Sequence, residues 1–420
     1  MRERYDILVV GAGPAGIAAA TRAAESGKRV GLVDDNFAPG GQIWRGAESA
    51  SSDIAASWYA RLAKARITKL QGWRIFSQPA PGVLRAERNG DYIDLGYDKL
   101  ILATGARERF LPFPGWTLPN VLGAGGLQAL VKSGLPIAGK RVVVAGSGPL
   151  LPAVAAYLRK HGARVAAICE QASFSRLAQF ATSLVTHPDK LQQAAVYRWQ
   201  TRGARYHTSC RPVAAHGQGE LESVTLRKGS REWTVACDYL ACGFHLVPNT
   251  ELAELLGCAI ASGNVKVDEW QATSIPGIYC AGEPTGIGGL ELSLMEGEIA
   301  GYSASGQTAK AGVLHRKRDK LQKFADRLEA TFALDPALRE LPQSDTIVCR
   351  CEDVRFAAMA QSSSWRAAKL QTRCGMGPCQ GRVCGPAAEF LFHWRAESIR
   401  PPVFPAPLSG LTEKAQLHTV

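Results

Sequence analysis

The sequence predicts an α/β chain that contains two nucleotide-binding sheets and ends in a small cysteine-bearing segment. The first observation is a short apolar run, YDILVV, followed directly by a glycine-rich turn and a helix-compatible stretch. The second is a recurrence of the order strand, glycine turn, helix and strand after Lys140. The third is a group of five cysteines between Cys349 and Cys384. Strands that alternate with helices in this way predict parallel sheets.

Length and composition exclude several broad classes of protein. The chain has 420 residues, of which 46% are hydrophobic, enough for two or three domains with buried cores. The formal net charge of +12 is spread without a basic-aromatic block, so it indicates a solvated surface or a docking face for an acidic partner rather than nucleic-acid binding. No apolar run is long enough to span a bilayer, so any membrane association is expected to be peripheral. Eleven cysteines without a secretion signal indicate a reducing compartment, and the cytoplasm is the expected location.

The first glycine turn has the spacing of a dinucleotide-binding fingerprint. Its first glycine permits a tight turn, its second lets a pyrophosphate approach the backbone, and its third allows the helix to pack closely on the strand. The following strand, RVGLV, leads to an acid that is placed to accept hydrogen bonds from the ribose of an adenosine. A turn that holds no ligand is the alternative. The residues expected to contact the dinucleotide are Gly11, Gly13, Pro14, Ala15, Gly16, Asp34 and Asp35.

Three later landmarks indicate which dinucleotide binds at this turn. They are, in chain order, Gly40-Gly41-Gln42, Ala103-Thr104-Gly105 at the end of an apolar run, and Gly282-Glu283 at the end of another. In this order they resemble the flavoprotein family with two dinucleotide domains that includes thioredoxin reductase, glutathione reductase and ferredoxin reductases. The resemblance implies FAD at the first turn, with an acid of the third landmark bonded to the ribityl chain. That acid is an aspartate in the family and Glu283 here, one methylene longer.

The second glycine turn departs from the fingerprint at one position. Gly146 and Gly148 fill the first two glycine positions, whereas Leu151 replaces the third and is expected to hold the helix farther from the strand. Glu170 ends the next strand and favours a 2′-hydroxyl over a 2′-phosphate, hence NAD(H) rather than NADP. There are two alternatives. The turn binds another adenine nucleotide, or the domain has a structural role alone.

No catalytic acid, base or nucleophile can be assigned from the sequence. The stretch after Gly41, QIWRGAESASSD, has no cysteine, although some disulfide reductases carry a reactive pair there. Cys237 and Cys242 flank a strand-like run and are predicted to be core thiols. The histidines show no partner at a catalytic spacing. A thioredoxin-reductase activity is therefore not expected.

The cysteines near the C-terminus are spaced as two pairs. Cys349 and Cys351 form a CxC pair, and Cys379 and Cys384 form a CxxxxC pair after 27 further residues. Two pairs of thiolates suit a four-thiolate metal site, whereas CxC is uncommon in zinc knuckles and a reducing compartment disfavours disulfides. Cys374 and Cys379 have the same spacing as the second pair, so the choice of ligands stays open here.

The string TRCGMGPCQGRVCG makes this segment similar to the bacterioferritin-associated ferredoxin domain, a small helical fold that binds a 2Fe-2S cluster. The glycines of the string would let backbone N–H groups approach sulfur. The resemblance leaves Cys374 without a ligand role and implies as metal ligands Cys349, Cys351, Cys379 and Cys384.

Together, the two glycine turns and the cysteine segment cover nearly the whole chain. The strings ATGARERFLPFPGWTLPNVLGAGGLQALVKSG and AGSGPLLPAVAAYL resemble the α (A) subunits of heteromeric amine dehydrogenases: opine oxidases, multisubunit proline and hydroxyproline dehydrogenases, and hydrogen cyanide synthase. The resemblance implies an electron-transfer subunit with FAD and a 2Fe-2S cluster, whose partners are an FAD-containing β subunit that oxidises the amino acid and a small ferredoxin-like subunit. Hydroxyproline or proline is the substrate expected ahead of an opine.

Two other functions are compatible with the same motifs. A stand-alone NADH-dependent reductase of a ferredoxin, quinone or dye would carry both turns and the cluster but would need no partner subunit. A non-catalytic nucleotide-binding scaffold would account for Leu151 and for the missing acid–base groups. Cofactor content separates these functions, because a scaffold would lack a reducible flavin.

The predicted fold is α/β, with two Rossmann-like dinucleotide-binding domains of the thioredoxin- and glutathione-reductase type and a small helical 2Fe-2S domain. Within it, residues 221–227 and 231–236 predict a β-hairpin, and residues 290–300 predict a helix that closes the FAD site. The expected parts are an FAD-binding domain of residues 1–116 and 246–305, an NAD-binding-like domain of residues 117–245, a helical linker of residues 306–344, a 2Fe-2S domain of residues 345–400 and a tail of residues 401–420.

Overall fold

A computed structural model describes residues 2–45, 53–396 and 398–412. The chain divides into two units, each built from separated stretches of sequence. The first unit comprises Met1–Arg107, Val247–Asp326 and Ser398–Val420, and the second comprises Glu108–Leu246 and Arg327–Glu397. The cysteine-bearing segment, which the sequence predicts as a domain of its own, therefore groups with the inserted stretch that follows Arg107.

The elements alternate between strands and helices along most of the chain. The strands are β1 (Arg2–Val10), β2 (Val30–Asp34), β3 (Ile67–Gln71), β4 (Arg74–Ala80), β5 (Val83–Arg88), β6 (Asp91–Leu102), β7 (Ala106–Glu108), β8 (Val121–Gly123), β9 (Arg141–Ser147), β10 (Arg164–Glu170), β11 (Arg205–His207), β12 (Cys210–His216), β13 (Ser223–Lys228), β14 (Arg231–Ala236), β15 (Tyr239–Phe244), β16 (Leu246–Pro248), β17 (Ile260–Ala261), β18 (Asn264–Val265), β19 (Ile278–Cys280), β20 (Ile347–Cys349) and β21 (Val354–Arg355). The helices are α1 (Pro14–Ala24), α2 (Asp53–Lys64), α3 (Ala124–Lys132), α4 (Leu150–Lys160), α5 (Phe174–Ser183), α6 (Pro188–Gln200), α7 (Glu251–Leu255), α8 (Gly289–Ala304), α9 (Thr308–Gly312), α10 (His315–Phe332), α11 (Phe356–Ala360), α12 (Trp365–Thr372), α13 (Cys384–Phe392) and α14 (Leu408–Thr412).

A mixed sheet forms the centre of the first unit, with the order β3-β2-β1-β6-β5-β4 and with β19 paired to β6. β1, β2, β3, β6 and β19 are parallel, whereas β5 is antiparallel to both of its neighbours. Every residue of β2 is buried, as expected for a parallel strand that is covered on both faces. α1 and α8 share one apolar core with this sheet, which includes Ile17 and Ala300.

The register of this sheet aligns the carboxyl ends of its parallel strands. Val10 at the end of β1 pairs with Val33 of β2 and with Leu102 at the end of β6, and Leu102 pairs with Cys280 at the end of β19. The segments that follow these four strands therefore leave the sheet at the same edge. In open α/β sheets this edge is where ligands bind.

The second unit contains a parallel sheet of its own, with the order β11-β10-β9-β15-β8. α3 and α4 pack on it through an apolar core that includes Leu127, Val144 and Leu158. The predicted hairpin is confirmed as β13 and β14, and β12 adds a third antiparallel strand beside β13. The cysteine-bearing segment has a small core of its own, built around Met359 and Trp365.

The helices predicted after the second glycine turn are also present. α8 covers the predicted helix of residues 290–300 and extends to Ala304, and α10 forms from the charged run that precedes the cysteines. Among the helices of the described stretches, none has both the length and the apolar character needed to cross a bilayer.

Candidate cofactor sites

Four of the predicted segments meet at the carboxyl edge of the first sheet. The glycine turn Gly11–Gly16 follows β1, Asp34 ends β2, Ala103-Thr104-Gly105 follows β6, and Gly282-Glu283 follows β19. The loop with Gly40, Gly41 and Gln42 joins them, because the N–H of Gly40 donates to the carbonyl of Ala12 at 2.7 Å. Gln42 is exposed to solvent.

The acid at the end of β2 holds the glycine turn in place. The Asp34 carboxylate accepts hydrogen bonds from the backbone N–H of Ala12 and, at 2.7 Å, from that of Asn36. Burial raises the pKa of Asp34, and these hydrogen bonds oppose that rise. Asp35, the other predicted acid, is exposed and lies 3.5 Å from Arg74. Of the two acids, only Asp34 is therefore built into the turn.

Two glycines of the turn have different surroundings. A Cβ atom added to Gly16 would lie 1.7 Å from the carbonyl oxygen of Gly11, so this glycine is needed for the close packing of α1 on β1. A Cβ atom on Gly13 would meet no protein atom within 4 Å. Pro14 begins α1 and Ala15 follows it, so the N-terminus of this helix adjoins the open space at Gly13. Such a helix terminus favours a phosphate group.

The turn after β6 is fixed by a residue that sequence reasoning missed. Asn249 donates through its side-chain amide to the carbonyl of Thr104 at 2.9 Å, and its own carbonyl accepts from the Thr104 hydroxyl at 2.6 Å. Its backbone N–H donates to the carbonyl of Gly105 at 3.0 Å. Asn249 lies far from Thr104 along the chain, and no local pattern connects the two residues.

A half-buried glutamate, Glu283, and a buried one, Glu296, lie at the turn after β19. Glu283 accepts from the N–H of Gly289 at 2.9 Å through Oε1, while its Oε2 is buried and has no hydrogen-bond partner among the described residues. Glu296, from α8, accepts from the N–H of Gly282 at 2.9 Å and from the hydroxyl of Thr285 at 3.0 Å. Burial raises the pKa of each glutamate to about 7. The run LSLMEGEIA contains a second glutamate, Glu298, so the sequence alone does not single out Glu296.

These observations fit FAD at the first turn. Open space at Gly13 and the start of α1 suit a pyrophosphate, and Asp34 lies where an adenosine ribose would bind. The unpartnered Oε2 of Glu283 would lose free energy by staying unpaired. A hydroxyl of the ribityl chain is a suitable donor for it, in agreement with the role that the resemblance implies for Glu283.

The second glycine turn has a similar frame with a more deeply buried acid. Glu170 accepts from the N–H of Gly148 and from that of Ala172, each at 2.8 Å. Its exposed fraction is 0%, compared with 9% for Asp34. Burial raises the pKa of Glu170 to about 7. Leu151, which replaces the third glycine, is fully buried in the core between α4 and the sheet.

The end of α10 lies directly on this second turn. The carbonyl oxygen of Phe332 accepts from the hydroxyl of Ser147 at 2.8 Å, between the two fingerprint glycines, and lies 2.5 Å from Nε2 of His245. The side-chain amide of Gln171 donates to the carbonyl of Ala333 at 3.0 Å. None of these residues was singled out by the sequence, because main-chain carbonyls leave no side-chain signature.

The cysteines near the C-terminus form one group. The Sγ atoms of Cys349, Cys374 and Cys384 lie within 4.8 Å of one another, and all three residues are buried. Cys379 is half-buried and hydrogen-bonds with the thiols of Cys384 and Cys351, and Cys351 is exposed. Of the four predicted ligands, the group of three close thiols contains Cys349 and Cys384 and adds Cys374, so the choice of four ligands among five stays a prediction.

Hydrogen bonds favour the deprotonated form of two of these thiols, Cys349 and Cys379, whereas the pKa values of the other three cysteines are raised. Hydrogen bonds from Cys374 and Cys384 lower the pKa of Cys349, assisted by the backbone N–H of Gly375. Hydrogen bonds from Cys384 and from backbone groups that include Gly381 lower the pKa of Cys379 to about 5. Thiolates are the ligands that iron-sulfur clusters require. The donor set therefore fits the cluster that the resemblance implies.

Trp116 anchors the CxC loop within the second unit. Its indole N–H donates to the carbonyl of Ile347 at 2.6 Å, and the guanidinium of Arg350 lies 5.5 Å from the centre of its ring. Trp116 itself is 2% exposed. Cys237 and Cys242, predicted as core thiols, are buried in the same apolar core as Trp116, and burial raises the pKa of Cys237 to about 12.

Comparisons of the sequence identify its relatives. A family model described as pyridine nucleotide-disulphide oxidoreductase matches residues 5–308. Hydrogen cyanide synthase subunit HcnB of Pseudomonas protegens is 31% identical, over 90% of this chain and 89% of that protein. The A subunit of opine oxidase from Rhizobium meliloti is also 31% identical, over 97% of this chain and 98% of that protein.

Comparisons of the structure agree on the fold. L-proline dehydrogenase from P. horikoshii superposes with a TM-score of 0.69 at 18% identity, over 98% of this chain and 80% of that chain. Thioredoxin reductase from T. acidophilum superposes with a TM-score of 0.55 at 21% identity, over 73% of this chain and 99% of that chain. The fold is thus the mixed α/β dinucleotide-binding fold of these oxidoreductases. With the family match, these findings show that the chain belongs to the pyridine nucleotide-disulphide oxidoreductase family and is an FAD-dependent oxidoreductase.

Proposed function

We propose that this chain is the flavin- and cluster-bearing electron-transfer subunit of a heteromeric amino-acid dehydrogenase that acts in the cytoplasm. The observation that carries the proposal is the presence, in one chain, of an edge that fits FAD and of a cysteine group that fits a 2Fe-2S cluster. The two relatives named above are both subunits of larger enzymes, which supports a role within a complex. The amine-oxidising partner is proposed to be an FAD-containing β subunit, and a small ferredoxin-like subunit is a further candidate.

The proposed roles of this chain and of the partner subunit follow from cofactor chemistry and from the residues present. When bound, FAD accepts two electrons and releases them singly, and a 2Fe-2S cluster carries one electron at a time. In this chain, the carboxylates of Asp34 and Glu296 hold segments of the FAD edge, and the unpartnered oxygen of Glu283 is proposed to bond to the ribityl chain. Oxidation of the C–N bond is therefore assigned to the partner.

The proposed ligands of the cluster are Cys349, Cys351, Cys379 and Cys384. Trp116 and Arg350 hold the loop that carries the first pair, and Cys384 begins α13, where the helix N-terminus favours a negative charge. Hydroxyproline or proline is proposed as the substrate of the complex ahead of an opine, on the strength of the sequence resemblance.

The first test is the cofactor content of the anaerobically purified chain. We expect about one FAD and about two iron atoms with two sulfides for each chain, as a 2Fe-2S cluster requires. A chain that lacks reducible flavin after reconstitution with FAD would instead support the scaffold. Turnover of a ferredoxin or dye with NADH, without any partner, would support the stand-alone reductase.

The second test is electron transfer with and without the amine-oxidising subunit. The isolated chain should reduce no dye with hydroxyproline, proline or an opine as the donor, whereas the reconstituted complex should do so. A complex that contains Cys384→Ala should still reduce the flavin of the partner with substrate but should lose dye reduction. Oxidation of hydroxyproline by the isolated chain would contradict the proposal.

A further inference from the structure

A pyridine nucleotide is implied by the family, and the second glycine turn is where it would bind. In this fold the pyrophosphate lies on the glycine turn, and the ribose hydroxyls bond to the acid that ends the following strand. Both positions must be reachable from the same side. The first turn meets this requirement through the open space at Gly13, and the second turn can be tested against it.

The acid of the second turn is out of reach. Glu170 has an exposed fraction of 0%, compared with 9% for Asp34, although the two acids accept from backbone N–H groups in the same way. Ser147 and Gln171, the residues beside the turn and beside the acid, are 5% and 6% exposed. The acid that a ribose would contact is therefore covered. At the pyrophosphate position, a Cβ atom on Gly148 would meet no protein atom within 4 Å, as at Gly13, although Gly148 itself is buried.

The covering segment consists of residues 332–335, which we call the clasp. Its attachment is made by three side chains of the second unit. Ser147 donates to the carbonyl of Phe332 at 2.8 Å, Nε2 of His245 lies 2.5 Å from the same oxygen, and Gln171 donates to the carbonyl of Ala333 at 3.0 Å. These side chains bond to main-chain groups of the clasp where a nucleotide would otherwise bond.

Further contacts show that the clasp is part of the packed unit. Oε1 of Gln171 accepts from the backbone N–H of Asp335 at 2.8 Å, so this amide is bonded through both its nitrogen and its oxygen. Phe332 is 6% exposed and meets the ring of Phe180 edge-on at 5.7 Å. Asp335 then caps the short helical turn that follows, accepting from Ala337 at 2.9 Å.

The space left beside the clasp is small. A cavity of about 370 Å³ remains between Gln171, Arg211 and Asp335. This volume is near the lower end of the range for drug-sized ligands, and a dinucleotide is larger than such a ligand. No residue of the glycine turn lines this cavity, so the misfit of NAD(H) rests on the bonds of the clasp to Ser147 and Gln171.

We infer that the clasp closes the second dinucleotide turn, so that this chain exchanges no hydride with a nicotinamide nucleotide. The turn instead serves as the attachment point for the segment that carries the cysteines, since the clasp leads directly into it. Electrons then enter and leave this subunit only through protein partners. The inference concerns binding at one turn and does not depend on which amine the complex oxidises.

Nucleotide binding to the full-length, FAD-loaded chain tests this inference. The wild-type chain should show no heat on titration with NAD⁺ and no bleaching of flavin absorbance on anaerobic titration with NADH. Saturable reduction by NADH, or micromolar binding of NAD⁺, would overturn the inference.

A variant with a weakened clasp gives the complementary measurement. Ser147→Ala combined with Gln171→Ala removes two of the three side chains that hold the clasp and leaves the FAD edge untouched. We expect faster hydrogen exchange in residues 332–337 and saturable binding of NAD⁺, which the wild type should lack. Unchanged hydrogen exchange in residues 332–337 would mean that these bonds do not hold the clasp. Faster hydrogen exchange without NAD⁺ binding would mean that the clasp does not close the turn. Either result overturns the inference.

Two further variants guard against a general loss of folding. Gln171→Glu keeps the oxygen that accepts from Asp335 but lacks the amide donor. It replaces the double variant if that variant does not fold. It should give a smaller rise in hydrogen exchange of residues 332–337 and weaker NAD⁺ binding than the double variant. Gln193→Ala, on an exposed face of α6, is the matched control and should behave as the wild type in exchange, FAD content and nucleotide binding.

Discussion

The carboxylate of Glu296 accepts a hydrogen bond from the backbone N–H of Gly282 at 2.9 Å, which ties α8 to the turn after β19. Glu296 is 2% exposed, and burial raises its pKa from 4.5 to about 7. The folded chain therefore keeps a proton on this carboxyl group at pH values where the unfolded chain has released it. The turn that carries Glu283 is consequently linked to pH.

Glu296→Gln should change how stability depends on pH. Between about pH 4.5 and pH 7 the folded chain binds more protons than the unfolded chain, so wild-type stability falls as pH rises through this window, by on the order of 3 kcal/mol at about 1.36 kcal/mol for each pKa unit. Glutamine keeps an acceptor for Gly282 but does not titrate. The melting temperature of the wild type should therefore fall relative to that of the variant by roughly 5 °C between pH 5 and pH 7.5.

The matched control is Glu291→Gln, on the same helix, whose melting temperature should follow that of the wild type at every pH. If the melting temperatures of Glu296→Gln and the wild type changed by the same amount between pH 5 and pH 7.5, Glu296 would not titrate in this window.

Gly13→Ala and Gly16→Ala should separate ligand binding from folding. Gly13 has an ordinary φ of −72° and space for a Cβ atom, so the apo variant should keep its stability within about 0.5 kcal/mol and lose FAD affinity by roughly tenfold or more. In Gly16→Ala the new methyl group collides with the Gly11 carbonyl, and apo stability should fall by about 1–3 kcal/mol or more. Melting of the apo chain and FAD titration by fluorescence measure both effects. Unchanged FAD affinity in Gly13→Ala would mean that this turn does not face the dinucleotide.

Cys384→Ala should remove the cluster, whereas Cys374→Ala should leave it bound. Cys384 belongs to the predicted ligand set, and its replacement should abolish bound iron and the visible absorbance of the cluster. The thiol of Cys374 lies 3.6 Å from the sulfur of Met359 and is not a predicted ligand, so Cys374→Ala should retain the iron. If Cys374→Ala loses iron while Cys351→Ala keeps it, the ligands are instead the three buried thiols together with Cys379.

Trp116→Phe and Trp116→Ala should loosen the CxC loop to different degrees. Phenylalanine keeps most of the buried ring but removes the hydrogen bond to Ile347, which should cost about 1 kcal/mol. Alanine also leaves a cavity, and the loss should reach about 3–5 kcal/mol. Hydrogen exchange in residues 346–352 should rise in the order wild type, Phe, Ala. Exchange in the Phe variant equal to that of the wild type would show that the indole N–H does not hold this loop.

The parts of the fold that could be predicted are those specified by local sequence. An apolar run followed by glycines at fixed spacing determines a strand, a turn and a helix over a few residues, and the hairpin of β13 and β14 is equally local. Resemblance to a known family then predicted a role in FAD binding for residues far along the chain, such as Gly282 and Glu283. The alignment of these landmarks at one edge follows once the strands are parallel.

The parts that could not be predicted depend on long-range contacts. Glu296 is an ordinary charged residue in the sequence, and only the packing of α8 makes it a buried acceptor. Gln171 bonds to the carbonyl of Ala333, 162 residues later, and nothing in either local sequence indicates that contact. Cysteine spacing predicted a metal site, which stays a prediction, but it could not show that Cys374 lies beside Cys349 and Cys384.

The discontinuity of the first unit has a consequence for the synthesis of the chain. β6 ends at Leu102, but its partner β19 begins only at Ile278, after the inserted stretch. At translation rates of about 5–20 residues per second, β6 waits on the order of ten seconds or more for this neighbour. During that interval one edge of β6 offers unpaired backbone groups to any other extended chain. The nascent chain therefore leaves the backbone groups of Leu100, Ile101 and Leu102 without this partner until β19 has emerged.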